Sequence, residues 1–283
     1  MYPFNYHQPK SAEEAAHILA ANPEAKILAG GQTLLPTMKQ RLAGPSDLVD
    51  LGAVGDLAGI SEKGGTLRIG AMTPHAEVAK SPVVAKAIPA LAALAGGIGD
   101  PHVRSVGTIG GSVANNDPAA DYPAACIALG ATIHTTNRDI AADDFFTGLF
   151  QTALADDEII TAISFPAAKK AAYTKFRNPA SRYAIVGVFV AQAAGGVRVA
   201  VTGAGENGVF RVGEMETALG IKDQKIAVLE EMNDALRERG DLYKTKSEIL
   251  SDPWYTKLFR SLSYPLGFTA GVFVGVIIAN NAN

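Results

Sequence analysis

The chain has 283 residues, of which 48% are hydrophobic and 19% charged, with a formal net charge of -3. That is enough chain to bury a sizeable core split over two or three domains, and the lack of a basic patch or aromatic-basic interleave argues against nucleic acid as a partner. The opening MYPFNYHQPK has no apolar segment of the kind a secretory signal needs, so a cytoplasmic enzyme is the default expectation.

In chain order, Ser11-Ala12-Glu13-Glu14 reads as a capping box that opens a helix through Ala15, Ala16, Ile18 and Leu19. A buried strand at Lys26–Ala29, a helix after Thr33 and a strand at Asp47–Leu51 complete a small first lobe of βαβ type, residues 1–56. A second lobe, 57–170, is expected to hold a strand at Thr66–Met72, two helices over Thr73–Ala95, a glycine loop, a helix after Asp121, and strands at Ala131–Thr136 and Ile159–Phe165. Ala167–Ala172 bridges to a third domain, 171–283, where Thr174–Asn178, Tyr183–Ala193 and Val197–Thr202 read as an antiparallel set. The class is α+β.

Two glycine-pair loops about eighty residues apart carry most of the functional signal: AGGQTLLP at Ala29–Pro36 and GTIGGSVANNDPAAD at Gly107–Asp121. In the first, a strand runs straight into Gly30-Gly31, where backbone can approach a ligand closely, and the N–H groups of the following helix point back at the loop. In the second, Thr108, Gly110, Gly111 and Ser112 again combine hydroxyls with glycines, and Asn115, Asn116, Asp117 and Asp121 follow. Together the loops are suited to grip both phosphates of one dinucleotide. Asp121 would meet a sugar or ribityl hydroxyl, or would cap the helix that starts at Tyr122.

Other motifs are weaker. The single cysteine, Cys126, allows no internal disulfide and no iron-sulfur cluster, and its apolar helical setting reads as a buried, inert thiol. The five histidines lack metal-ligand spacing, so no metal-binding residue is assigned. Gly203-Ala204-Gly205-Glu206-Asn207-Gly208 matches a dinucleotide fingerprint, but Val209–Val212 after it is β-like, so a hairpin turn is expected there.

The run from Pro3-Phe4-Asn5-Tyr6 through AGGQTLLP, Asp47–Leu51, Ile69–Thr73, Asp100-Pro101-His102-Val103-Arg104 and GTIGGSVANNDPAAD resembles the FAD-binding medium subunit of the molybdenum hydroxylases. That group includes the carbon monoxide and bacterial xanthine dehydrogenases, and the resemblance covers about 1–220. It implies a two-lobed FAD-binding domain of the vanillyl-alcohol-oxidase/PCMH type, followed by a small domain of antiparallel sheet plus helix. The family's first phosphate loop falls on Leu28, Ala29, Gly30, Gly31, Gln32, Thr33 and Leu34, and its second on Thr108, Gly110, Gly111 and Ser112. The resemblance further places Ile98 near the isoalloxazine, Asp121 at the ribityl chain, Ile160 against the flavin and Arg177 within reach of the ring. Gln32 stands where relatives often carry His, Ser or Asn, and Ser112 where many carry Asn; both still hydrogen-bond.

The implied role is a relay without catalytic residues of its own. A partner with the molybdenum cofactor, a molybdopterin large subunit, oxidises substrate, and a 2Fe-2S small subunit passes electrons to FAD, which hands them to quinone, NAD or oxygen; the assembly expected is a dimer of heterotrimers. Arg104 or Arg177 would stabilise reduced flavin, unless each is a surface ion pair. Two other classes stay open: a stand-alone flavin oxidoreductase, and a non-redox structural or membrane-docking subunit that kept the fold.

The end of the chain departs from the family. Lys222–Glu248 reads as a dense charged helix, and Trp254 to Tyr264 precede an almost uncharged run at Leu266–Ala279. That run is shorter than the roughly 20 residues a membrane span needs, so a partner-packed helix and a short membrane anchor are both expectations.

Overall fold

The computed structural model describes residues 1–193 and 195–238. Met1–Glu216 forms one compact unit, and a second begins at Thr217.

The unit begins with β1 (Asn5–His7), α1 (Ala12–Ala21), β2 (Lys26–Leu28), α2 (Leu34–Lys39) and β3 (Asp47–Asp50). The three strands make a parallel sheet in the order β1-β3-β2. The Ser11 hydroxyl accepts from the Glu14 N–H at 3.2 Å, and the Glu14 carboxylate accepts in return from the Lys10 N–H at 2.8 Å. This satisfies N–H groups that the first helical turn leaves free. Ala12, Ala15 and Leu19 of α1 are thereby turned onto Val49, Leu51, Val54 and Leu57. Strand β1, only three residues long, offers no alternation by which the sequence could show it.

Next come β4 (Ile60–Lys63), β5 (Thr66–Gly70), α3 (His75–Lys80), α4 (Pro82–Ala87), α5 (Pro89–Gly96), α6 (Pro101–Val106), α7 (Ile109–Asn115), α8 (Tyr122–Leu129), β6 (Thr132–Thr135), β7 (Asp139–Ala141), α9 (Ala142–Phe145), β8 (Phe146–Gly148), β9 (Gln151–Thr152) and β10 (Ile160–Pro166). Strands β4-β5-β10-β6-β7 form an antiparallel sheet. Leu67, Ile69, Ile133, Ile163 and Phe165 pack from it against Leu91, Leu94, Ile109, Val113 and the wholly buried α8. The stretch expected to hold two helices holds three. Pro82 and Pro89 each open a new helix, because proline fits a first turn and ends the helix before it.

Finally β11 (Lys170–Arg177), β12 (Ala184–Ala193), β13 (Gly196–Thr202) and β14 (Phe210–Arg211) form an antiparallel sheet. Phe189, Ala191 and Ala200 bring it into the same core as α8. The Gly203–Gly208 segment joins β13 to β14, with Val201 opposite Phe210, so the fingerprint-like glycines belong to a hairpin. Helix α10 (Gly213–Glu238) leads out of the first unit. The charged-helix expectation over Lys222–Glu248 is helical as far as Glu238; the remainder, with Trp254 and the 266–279 run, lies outside the described residues. Among the described residues no helix is long and apolar enough to cross a membrane.

Candidate functional site: a cleft between two glycine loops

A cleft of about 700 Å³ lies where the two loops meet. A Cβ built on Gly30 would fall 2.2 Å from the Val106 carbonyl oxygen and 2.6 Å from the Gly107 Cα, so the loops touch through a residue that has no room for a side chain. Gly31 takes the left-handed conformation, φ +67°, and turns the chain from β2 into α2. Among the described residues, nothing accepts from the N–H groups of Gly30, Gly31, Gln32, Thr33 or Leu34. Five consecutive donors lining a cleft make a site for an anion.

The second loop works differently from the expectation. Thr108 caps α7, so the glycines sit in a helix's first turn, and their N–H groups are spent inside the chain. Gly110 donates to the Ala71 carbonyl at 2.8 Å and Gly111 to the Thr108 Oγ at 3.1 Å. What this segment turns to the cleft is the Thr108 and Ser112 side chains and bare glycine backbone. A Cβ on Gly110 would collide with Ala71 at 2.5 Å; one on Gly111 would crowd the Thr108 Oγ at 3.0 Å and come within 3.5 Å of the Ala29 Cβ on the first loop.

Of the residues singled out in the sequence, Ala29, Gly30, Gly31, Gln32, Thr33, Leu34, Ile98, Thr108, Gly110, Gly111, Ser112, Asp121 and Ile160 line the cleft. Leu28 lies behind the loop, its Cδ1 3.1 Å from where a Gly31 Cβ would be. Arg177 is exposed near the end of β11 and is not part of the lining, and Arg104 spends its guanidinium on the carbonyls of Ile98 and Gly99 at 2.8 and 3.0 Å. The arginine in the wall is Arg182. It belongs to a tight connection between β11 and β12, where Asn178 Oδ1 accepts from the N–H groups of Ala180 and Ser181, so that Ser181, Arg182 and Tyr183 all reach the cleft. An Asn-Pro pair between two strands was the available signal for that turn.

Asp121 makes no helix-cap bond. One carboxylate oxygen accepts from Lys175 Nζ at 2.9 Å and the other from the Tyr173 hydroxyl in a short hydrogen bond. Burial raises this carboxyl above the usual range, and the Lys175 ammonium opposes it. Glu158, also in the wall, is balanced the other way. Burial would raise it, but the Arg138 guanidinium, the Ala155 N–H and the Thr135 hydroxyl prevail and hold it down to about 2. His75, 5% exposed, lines the cleft with no partner at Nδ1; burial, helped by Arg104, lowers it to about 4, so the imidazole is neutral near pH 7. Cys126 is fully buried, which pushes its thiol far above the ordinary range.

The lining suits a flavin dinucleotide: unspent N–H groups and hydroxyls beside apolar side chains such as Ile98 and Ile160, and a cradle at Gly111 that any side chain would begin to fill. Residues 2–168 match the family model of the FAD binding domain in molybdopterin dehydrogenase. The carbon monoxide dehydrogenase medium chain of Hydrogenophaga pseudoflava is 37% identical over 266 residues, spanning 86% of this chain and 92% of that one. The nicotine 6-hydroxylase medium subunit of Paenarthrobacter nicotinovorans is 39% identical over 209 residues, 70% of this chain and 74% of that one. A solved carbon monoxide dehydrogenase from Hydrogenophaga pseudoflava, lacking the Mo-pyranopterin moiety of its cofactor, superposes with a TM-score of 0.70 at 40% identity over 75% of this chain and 78% of that one. The chain therefore belongs to the FAD-binding family of the molybdopterin dehydrogenases, the oxidoreductase medium chains of the carbon monoxide dehydrogenase type.

Proposed function

We propose that this chain is the FAD-holding electron-transfer subunit of a molybdenum-containing dehydrogenase. It works beside a 2Fe-2S small subunit and a molybdopterin large subunit in a cytoplasmic dimer of heterotrimers. The observation that carries the reading is the row of five unspent N–H groups from Gly30 to Leu34, facing the hydroxyls of Thr108 and Ser112 across one cleft. Bound FAD supplies a carrier that takes electrons singly from iron-sulfur centres and delivers them to an external acceptor such as quinone, NAD or oxygen.

This chain's residues hold and tune that carrier. The loop N–H groups neutralise pyrophosphate. Ile98 and Ile160 exclude water from the ring faces, and Arg182 takes the place proposed for an arginine near the ring. Neutral His75 adds polar contact without charge. In this reading regions 1–56 and 57–170 enclose the cofactor, and the connection between β11 and β12 adds Ser181, Arg182 and Tyr183 to the wall.

The test is the visible absorption spectrum of the purified chain, followed by heat release of the cofactor. Flavin bands and stoichiometric FAD are the expected result. A colourless chain that fails to take up added FAD overturns the reading in favour of a non-redox subunit, and turnover of an organic substrate by the isolated chain would replace it with a stand-alone oxidoreductase.

A further inference from the structure

Helix α7 ends at Asn116, a left-handed residue with φ 42° and 1% exposure. Its side-chain amide donates to the Gly148 carbonyl at 2.9 Å and to the Gln151 carbonyl at 2.7 Å. Those two residues pair across the β8-β9 hairpin and bracket its two-residue tip, Leu149-Phe150. One buried amide therefore clamps the tip to the helix whose other end is the Thr108 cap.

Phe150 has φ 54°, is 55% exposed, and lines the cleft. The second residue of such a tip, when φ is positive, is ordinarily glycine, and an aromatic side chain there is strained. Neither burial nor turn geometry accounts for a phenylalanine at that position. Strain held in place by an over-determined support marks a functional contact. The other hairpin tip at the cleft, with Arg182 and Tyr183, reaches the Gly99 carbonyl through Arg182, beside Ile98. The Phe150 tip is anchored at the C-terminal end of α7, at Asn116.

We propose that Phe150, clamped by Asn116, is the stacking platform for the adenine base of the dinucleotide. The inference rests on the flavin-subunit reading and adds to it the residue that makes the site prefer FAD over FMN. Stacking on an aromatic face suits a purine, and alanine substitution at such platforms costs about tenfold or more in affinity.

The experiment measures dissociation constants of FAD and of FMN for the full chain by flavin fluorescence, with thermal melting alongside. Phe150→Gly is expected to raise the melting temperature by relieving the turn, to weaken FAD about tenfold, and to leave FMN unchanged. Phe150→Trp is expected to keep FAD affinity. An equal loss for both flavins, or no loss for either, overturns the platform while leaving the flavin site standing. A wild-type chain that binds neither flavin overturns the flavin-subunit reading itself.

Discussion

Lys175 Nζ stands 2.9 Å from Asp121 Oδ2, with the two side chains only 4% and 5% exposed. The pair ties the start of α8 to β11, fifty-four positions later in the chain, at the wall of the cleft. Removing one partner leaves a buried charge without compensation. Asp121→Asn is expected to cost about 3–5 kcal/mol in urea unfolding. The double replacement Asp121→Leu with Lys175→Met should cost clearly less than the two single changes together, and strict additivity would mean that the groups do not support one another.

The loop contact at Gly30 predicts a separate effect. Gly30→Ala forces a methyl against the Val106 carbonyl and the Gly107 Cα, destabilising by roughly 1–3 kcal/mol and opening the cleft. Gly111→Asp sets its side chain and a negative charge against the Thr108 Oγ and beside Ala29. It should abolish flavin absorbance while circular dichroism stays close to that of the wild type.

Two buried groups give distinct pH windows. Folded His75 takes up its proton near pH 4, against 6.5 when unfolded, so between these values the unfolded chain binds more protons. Its contribution is complete above pH 6.5 and lost as pH falls to about 4, on the order of 3 kcal/mol. His75→Gln should flatten that slope. Glu158 is held near 2 against 4.5 when unfolded, so its contribution is complete above pH 4.5 and lost as pH falls toward 2. Glu158→Gln should therefore destabilise at pH 7 by roughly 3 kcal/mol and hardly at all near pH 2. Urea titrations across pH 2–7 check both.

Arg182 places its guanidinium in the cleft wall; among the described residues it donates at 3.5 Å to the Gly99 carbonyl and lies within the field of Asp100, which leaves donors for a ligand. Arg182→Gln is expected to shift the two-electron potential of bound flavin to more negative values by roughly 30 mV, the equivalent of about 1.4 kcal/mol. Arg182→Lys should keep most of the wild-type value. Spectroelectrochemical titration reads both variants.

Much of this was legible in the sequence because local chemistry speaks directly. Gly30-Gly31 after an apolar strand, Ser11 before Glu14, and the β-like run after Gly208 each carry their own geometry. What was not legible is tertiary. Nothing local to Gly110 or Gly111 says that Ala71 and Thr108 already hold their N–H groups. The buried pairing of Asp121 with Lys175, and hence its failure to cap α8, is hidden because Lys175 is remote in the chain. Arg177 came from the resemblance, whereas Arg182 reaches the cleft through a tight connection in which it takes the left-handed conformation, φ 62°. Phe150 escaped notice because only a dihedral angle reveals that it sits in a glycine's place.

The contact of Gly30 with Val106 and Gly107 also bears on the order of events during folding. The five donors of the first loop can form with their local strand and helix, but the opposite wall arrives only after some seventy-five further residues have folded and docked. Closure of so long a loop is slow compared with helix formation. Cofactor capture is thus a late reporter: in a refolding experiment, helical signal should recover first, and quenching of flavin fluorescence should follow as a separate, slower phase.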